Sequence, residues 1–278
     1  MSNNSRRNFL KSSAILGAAA MAPLSVSFAA GRRVERPGLQ LYTLRADMAQ
    51  DFEGTLARVA NLGYKEMEFA GYFGRSPAAV RRVLDQNGMT SPASHIQLTA
   101  IRNNLQGEID AAAAIGQKYI VVPSLPGDER SISHYQQHAE TLNRAGEACK
   151  SAGIKMGYHN HDFEFTETNG RIPYNILLDE TEADLVDMEL DLFWIRNAGA
   201  DPMSYFRSHP GRFAMLHVKD MDEHGRMADV GRGLIDFPEI FSHADTAGFE
   251  HFFVEHDRPG NGMASVAVSI YTLRNLTF

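Results

Sequence analysis

The 278-residue chain is predicted to adopt an α/β fold, a single (β/α)8 barrel preceded by an N-terminal export signal. Three observations predict it. Candidate strands alternate with candidate helices from end to end at roughly 25 to 35 residues per unit, the spacing of repeated βα units. A glycine stands just before the strand in five units, Gly63, Gly88, Gly116, Gly153 and Gly248, where a helix C-terminus takes a residue tolerant of the left-handed conformation. Polar residues gather where the strands end, at Tyr42, Glu68, His95, His159, Asp191, His217 and Glu255, and barrels of this kind build their sites at that end.

The first element in chain order is the export signal. Ser5-Arg6-Arg7-Asn8-Phe9-Leu10-Lys11 is a twin-arginine pattern, an apolar run follows, and Ser27-Phe28-Ala29 supplies small residues for cleavage. The signal is assigned to 1–29 and the barrel to 30–278, with the periplasm as destination. Because the apolar run is short, contains Pro23 and is followed by Arg32 and Arg33, cleavage is expected and a stable membrane anchor is not.

Eight strands are expected at 39–43, 64–69, 91–96, 119–122, 155–159, 186–192, 214–218 and 252–255. Between them apolar residues recur at helical spacing, as at Phe52, Leu56, Val59 and Ala60, at Ala79, Val80, Val83 and Leu84, and at Phe237, Ile240, Phe241 and Ala244. A doubly wound open sheet would lead from its first strand into a glycine-rich phosphate loop, whereas Leu44-Arg45-Ala46-Asp47 has no glycine. The single cysteine, Cys149, lies in a helical stretch at 135–152; it forms no intramolecular disulfide and reads as a small core residue.

The whole chain carries 27 basic and 34 acidic residues, net charge −7. Loss of the signal removes Arg6, Arg7 and Lys11 and no acid, leaving 24 against 34 and a net charge of −10. That balance argues against a nucleic-acid backbone or an anionic membrane surface as partner. A small carbohydrate is the expected partner, and a homo-oligomer is compatible with the sequence.

Four segments in the second half carry metal-ligand chemistry at a strand end: Gly157-Tyr158-His159-Asn160-His161, Asp187 to Trp194, Met215 to Met221 and Phe252 to Asp257. Strand alternation puts His159 with His161, Glu189 with Asp191, His217 with Lys219 and Glu255 with Asp257 on one face each. Imidazoles and carboxylates converging from separate strands suit one divalent cation, such as Mn²⁺, Zn²⁺, Co²⁺, Fe²⁺ or Mg²⁺. Lys219 either steadies an oxyanion, its pKa lowered by cationic neighbours, or pairs with Glu189 or Asp191. His95 donates to a substrate oxygen or caps a loop; Glu68 bonds a sugar hydroxyl or neutralises Arg45. Trp194 and Tyr42 are stacking walls or core. Glu189 is an outer partner of a ligand. The long loop at 222–236 either closes over substrate, with Arg232 reaching it, or is an ordinary solvated loop. His134, His138, His209, His224, His243 and His251 fall in helices or loops and receive no role.

Together with the opening Gly38-Leu39-Gln40-Leu41-Tyr42-Thr43-Leu44-Arg45, the stretch from Asp191 to Trp194, His217-Val218-Lys219-Asp220 and Gly231-Arg232-Gly233, these segments resemble the xylose isomerase-like TIM barrel superfamily, which includes the sugar phosphate isomerase/epimerases and shares its fold with AP endonuclease family 2. The resemblance covers the mature chain. It implies a single metal held by a strand-five Glu, a strand-six Asp, a strand-seven His and a strand-eight Glu, of which Asp191, His217 and Glu255 match. His159 stands where the first glutamate is expected, so one of the two bases of a ketose epimerase is missing. His159 is favoured as the ligand and His161 as the base, with the reverse left open; Glu255 is the second catalytic carboxylate, and Glu164 falls where an acid contacts a substrate hydroxyl in the sugar epimerases.

The leading expectation is a metal-dependent sugar isomerase or epimerase that abstracts a proton next to a carbonyl through an enediolate, on a non-phosphorylated sugar or keto-glycoside. The alternatives are a lyase or hydrolase on a 3-keto-glycoside using the same metal site, and a non-catalytic sugar-binding barrel. A metal-dependent nuclease is disfavoured by the acidic charge.

Overall fold

A computed structural model describes residues 31–278; the export signal expected at 1–29 lies outside the described residues. Strands β1 (Gly38–Gln40), β2 (Glu66–Phe69), β3 (Thr90–His95), β4 (Tyr119–Val122), β5 (Lys155–His159), β6 (Val186–Asp191) and β7 (Met215–Val218) are followed by a small hairpin, β8 (Asp220–Met221) and β9 (Met227–Ala228), and then by β10 (His251–Val254). The eight longer strands are parallel and close into a barrel in the order β1-β10-β7-β6-β5-β4-β3-β2. Helices cross from one strand to the next, as the sequence predicts.

Local chemistry sets the helix ends. Asp51 caps Phe52–Leu62, Ser76 caps Pro77–Gln86 with proline at the first helical position, and Asn261 caps Gly262–Asn275, each side chain accepting an otherwise unpaired N–H. All five glycines picked out before strands have positive φ, between 62° and 105°. The apolar stripes at Phe52, Leu56 and Val59, at Val80, Val83 and Leu84, and at Phe237, Ile240, Phe241 and Ala244 are buried against the sheet.

The strand interiors agree with expectation and some ends differ. The first strand stops at Gln40, because its side-chain oxygen accepts the Tyr42 N–H at 3.0 Å and starts a 3-10 turn over Leu41–Leu44. Tyr42 therefore sits on a turn at the mouth, 42 % exposed. Glu255 falls one residue beyond β10, its N–H still directed at Val218 C=O at 3.4 Å. His251, expected in a helix or loop, opens β10 and is buried.

The lumen is filled by Ala93, Tyr119, Val121, Ala214, Met215 and Phe253. Below this plug Glu66 accepts from Arg36 at 2.9 Å and pairs with His251 at 2.7 Å, joining β2 and β10 across β1. Above it lies the functional end.

The loop after β7 does not close over that end. Asp220 accepts the N–H groups of Met221, Gly231, Gly233 and Ile235 at 2.8 to 3.1 Å and gathers the loop onto one carboxylate. A side chain at Gly233 would collide with that carboxylate. Val230 N–H bonds Ser269 on the C-terminal helix at 3.1 Å. Arg232 is consequently exposed beside Tyr271 and Thr272, in a surface hollow away from the barrel mouth, which corrects its expected substrate contact.

Candidate metal centre

Strand register brings the ligand candidates level. Asp191 on β6 pairs with His217 on β7, and His159 on β5 pairs with Glu189 on β6. One ligand atom from each of His159, Asp191, His217 and Glu255 lies within 4.8 Å of the others, and all four residues are buried.

Tautomers decide what these atoms offer. His159 Nδ1 lies 3.0 Å from Pro123 C=O, an acceptor only, so Nδ1 carries the proton and Nε2 turns its lone pair toward Asp191 Oδ2 at 3.1 Å. Burial, and then the neighbouring His217, keep His159 neutral by pushing its pKa down. His217 Nε2 donates to Glu68 Oε2 at 2.7 Å, leaving Nδ1 buried without a hydrogen-bond partner, 2.8 Å from Glu255 Oε2. Two lone pairs thus face two carboxylates, an arrangement that is repulsive unless positive charge sits among them. Burial opposes charge on His217, yet Glu189, Glu255 and Glu68 outweigh it and drive its pKa well above the imidazole range; positive charge at this nitrogen, from a proton or a metal ion, is favoured. Two imidazole nitrogens with two carboxylates fit a divalent metal of borderline hardness.

Asp191 is positioned by the chain itself. Its Oδ1 accepts Trp194 N–H at 3.0 Å and caps the helix Leu192–Asn197, which leaves Oδ2 for the site. Against the cost of burial, Lys219 holds Asp191 well below the usual carboxylate range, and Lys219 and His217 do the same for Glu255.

Lys219, 2 % exposed, places Nζ 2.9 Å from Asp191, 2.7 Å from Glu255 and 2.7 Å from Asp257. The expected ion pair forms with Asp191 and not with Glu189. Its pKa is raised, not lowered, because three carboxylates overcome burial.

Beneath the floor, Glu68, His95, Glu189 and His217 form a second convergent group. His95 Nε2 is 2.7 Å from Glu189, so its partner is that carboxylate and not a loop. Burial, then Glu189, lifts Glu68 to about 7, whereas His217 and His95 overcome burial and hold Glu189 well below the usual range. Glu68 is fully buried and already accepts from Gln40 at 2.8 Å and from His217. It reaches neither a sugar hydroxyl nor Arg45, whose guanidinium lies 4.1 Å over the Tyr42 ring. Glu164 is likewise fully buried, accepting from Tyr158 OH at 2.5 Å and His161 N–H at 2.9 Å, which corrects its assignment to substrate.

The floor opens into a pocket of about 440 Å³ whose walls include Tyr42, His95, His159, His161, Trp194, Lys219 and Glu255. His161 stands above the ligand group, its ring 5.1 Å from that of His159 and 5.2 Å from that of Trp194. Burial, then His159, pushes its pKa down to about 3, and Nδ1 has no partner; it is a neutral imidazole at the pocket wall. Arg45, Gln97, Asp257 and Arg258 also line the pocket and were not assigned to it from sequence. Alternation past Glu255 points to Asp257, but nothing in the pattern marks loop residues such as Arg258.

Fold and site together define a (β/α)8 barrel with a candidate metal centre at the C-terminal ends of its strands. Residues 56–273 match the family described as xylose isomerase-like TIM barrel, and the chain belongs to that family. Residues 3–23 match the twin-arginine translocation pathway signal sequence, which marks the chain for export, and no helix among the described residues is long and apolar enough to cross a membrane. An inosose dehydratase from Geobacillus kaustophilus is 26 % identical over 205 residues, 66 % of this chain and 66 % of that protein. A sugar phosphate isomerase/epimerase structure from Parabacteroides distasonis is 29 % identical, covers 92 % of this chain and 97 % of its own, and superposes with a TM-score of 0.74. The structure of the IolI protein with a bound zinc atom shares the fold at 15 % identity and a TM-score of 0.68, over 85 % of this chain and 96 % of that one.

Proposed function

We propose that this protein is a periplasmic, divalent-metal-dependent lyase that eliminates water or another substituent from the carbon β to the ketone of a cyclic keto-sugar or keto-polyol. The observation that carries the proposal is the convergence of the His159 and His217 lone pairs with the Asp191 and Glu255 carboxylates under an open, partly aromatic pocket. The inosose dehydratase relatives favour elimination over the isomerisation expected from sequence, and elimination needs only one well-placed base.

His159, Asp191, His217 and Glu255 would hold the metal, which when bound supplies Lewis-acid polarisation of the ketone and an adjacent oxygen. His161, neutral and at the wall, takes the proton from the carbon next to the ketone. The C–H electrons form a C=C bond and charge develops on the ketone oxygen, where the Lys219 ammonium stabilises it. The electrons then return as the bond to the β-hydroxyl breaks, and His161 hands the same proton to the departing oxygen, so that water leaves. Trp194 and Tyr42 offer flat faces to the ring.

Elemental analysis of the purified protein, with keto-inositol and a 3-keto-glucoside as substrates in D₂O, tests this. About one metal per chain and an unsaturated or dione product are expected, with metal lost in Asp191→Ala and His217→Ala. His161→Ala should retain metal while kcat falls by about 10²- to 10⁴-fold. Equal metal content in wild type and both ligand variants would remove the site. A second reading, isomerase or epimerase, is favoured by the Parabacteroides relative; deuterium uptake with altered configuration and no elimination product would select it.

A further inference from the structure

The pocket carries more positive charge at its rim than its floor uses. The acids near its floor, Asp191, Glu255 and Asp257, all lie against Lys219 at 2.7 to 2.9 Å. Around Lys219, with a divalent cation added, three negative charges face three positive ones, and Glu189 beneath them is answered by His95 and His217. Arg45 and Arg258 also line the pocket, and among the described residues neither guanidinium pairs with a carboxylate.

Both arginines enter from one side. Arg45 follows the turn after β1, Arg258 follows β10, and these strands are neighbours through Leu39 and Val254. Thr43 Oγ1 accepts the His256 N–H at 3.0 Å and ties the two loops together. Arg45 is also preset, lying 4.1 Å over the Tyr42 ring with Nη1 donating to Tyr42 C=O at 2.8 Å. Trp194 and His161, after β6 and β5, come from the other side of the mouth.

We propose that the β1/β10 rim binds a carboxylate of the substrate, which makes the substrate class a keto-sugar acid or a glycoside bearing a uronic acid. This rests on the reading of the pocket as the substrate site. Guanidinium groups match carboxylates in planar, two-pronged hydrogen bonds. Against an overall net charge of −7, two exposed arginines at the rim of one pocket, neither paired with a carboxylate among the described residues, favour an anion there. The ring then lies between a metal floor, an aromatic wall and a cationic rim, and this fixes which carbon faces His161.

Calorimetric titration of the metal-loaded protein with D-glucuronate, D-glucose and D-glucose 6-phosphate tests the assignment, in wild type and in the Arg45→Gln/Arg258→Gln double variant. Glucuronate is expected to bind about tenfold or more tighter than glucose, a factor worth about 1.4 kcal/mol, and the double variant to lose that preference while keeping wild-type metal content. Equal binding of the two sugars by wild type would overturn the proposal. A glucuronate preference that survives in the variant would also overturn it, by placing the carboxylate on the floor, and tighter binding of the phosphate ester would overturn the choice of carboxylate. Because binding and not turnover is measured, failure of the lyase reading leaves the outcome interpretable.

Discussion

His217 is the residue on which both buried groups meet. Its Nε2 proton is committed to Glu68 and its Nδ1 faces Asp191 and Glu255, so in the proposed centre Glu68 would fix the tautomer and aim of a ligand from outside the ligand group. Replacing Glu68 by Gln keeps the shape and removes the charge. Metal affinity, read by competition with a chromogenic chelator, should weaken about tenfold or more, with the far-ultraviolet circular dichroism unchanged; unaltered affinity would deny Glu68 that role. The four residues His159, Asp191, His217 and Glu255 were legible because strand alternation and strand order both constrain them. Glu68 was misplaced because position along a strand says which face a side chain takes but not how deep it ends. Glu164 was carried over from the resemblance, and the turn Phe163–Phe165 on which it sits buries it against Tyr158 OH and the His161 N–H.

At the scale of elements, Asp220 does for a loop what Asp191 does for a helix. One carboxylate organises the segment between the small hairpin and the next helix through four N–H groups. Asp220→Ala should cost about 1–3 kcal/mol, since four partly buried N–H groups lose their shared acceptor, and should expose the loop at 222–236 to limited proteolysis before global unfolding. If the variant resists protease as wild type does, the loop is held by other contacts. This loop was read as either a lid or an ordinary solvated loop because it is long for a barrel connection and rich in charge and glycine; the carboxylate that gathers it is visible only in three dimensions. Strand interiors were legible from alternation and from the glycines before them. Ends were less so, since Gln40 terminates β1 through its own side chain, a competition that periodicity does not register.

Across the whole molecule, pH acts through buried acids. Burial raises Glu164 from 4.5 to about 7 despite its hydrogen bonds, so between those values the folded chain holds a proton that the unfolded chain has released. The associated stability is complete below the unfolded carboxylate pKa and is lost as pH rises through about 7. Asp191 and Glu255, held low, act in the opposite sense and only in more acidic solution. Wild-type Tm should therefore decline from about pH 5 to 8 more steeply than that of Glu164→Gln; parallel profiles would show that Glu164 is ionised throughout. The barrel is also closed twice over, by its ladder of backbone bonds and by the ties from Glu66 to Arg36 and His251 at the end away from the pocket. Closure and chemistry thus occupy opposite ends, so descendants of this chain can exchange their mouth loops, and with them their substrates, while inheriting the same frame: changes selected for a new sugar should accumulate around Arg45, Gln97 and Arg258 and spare Glu66 and His251.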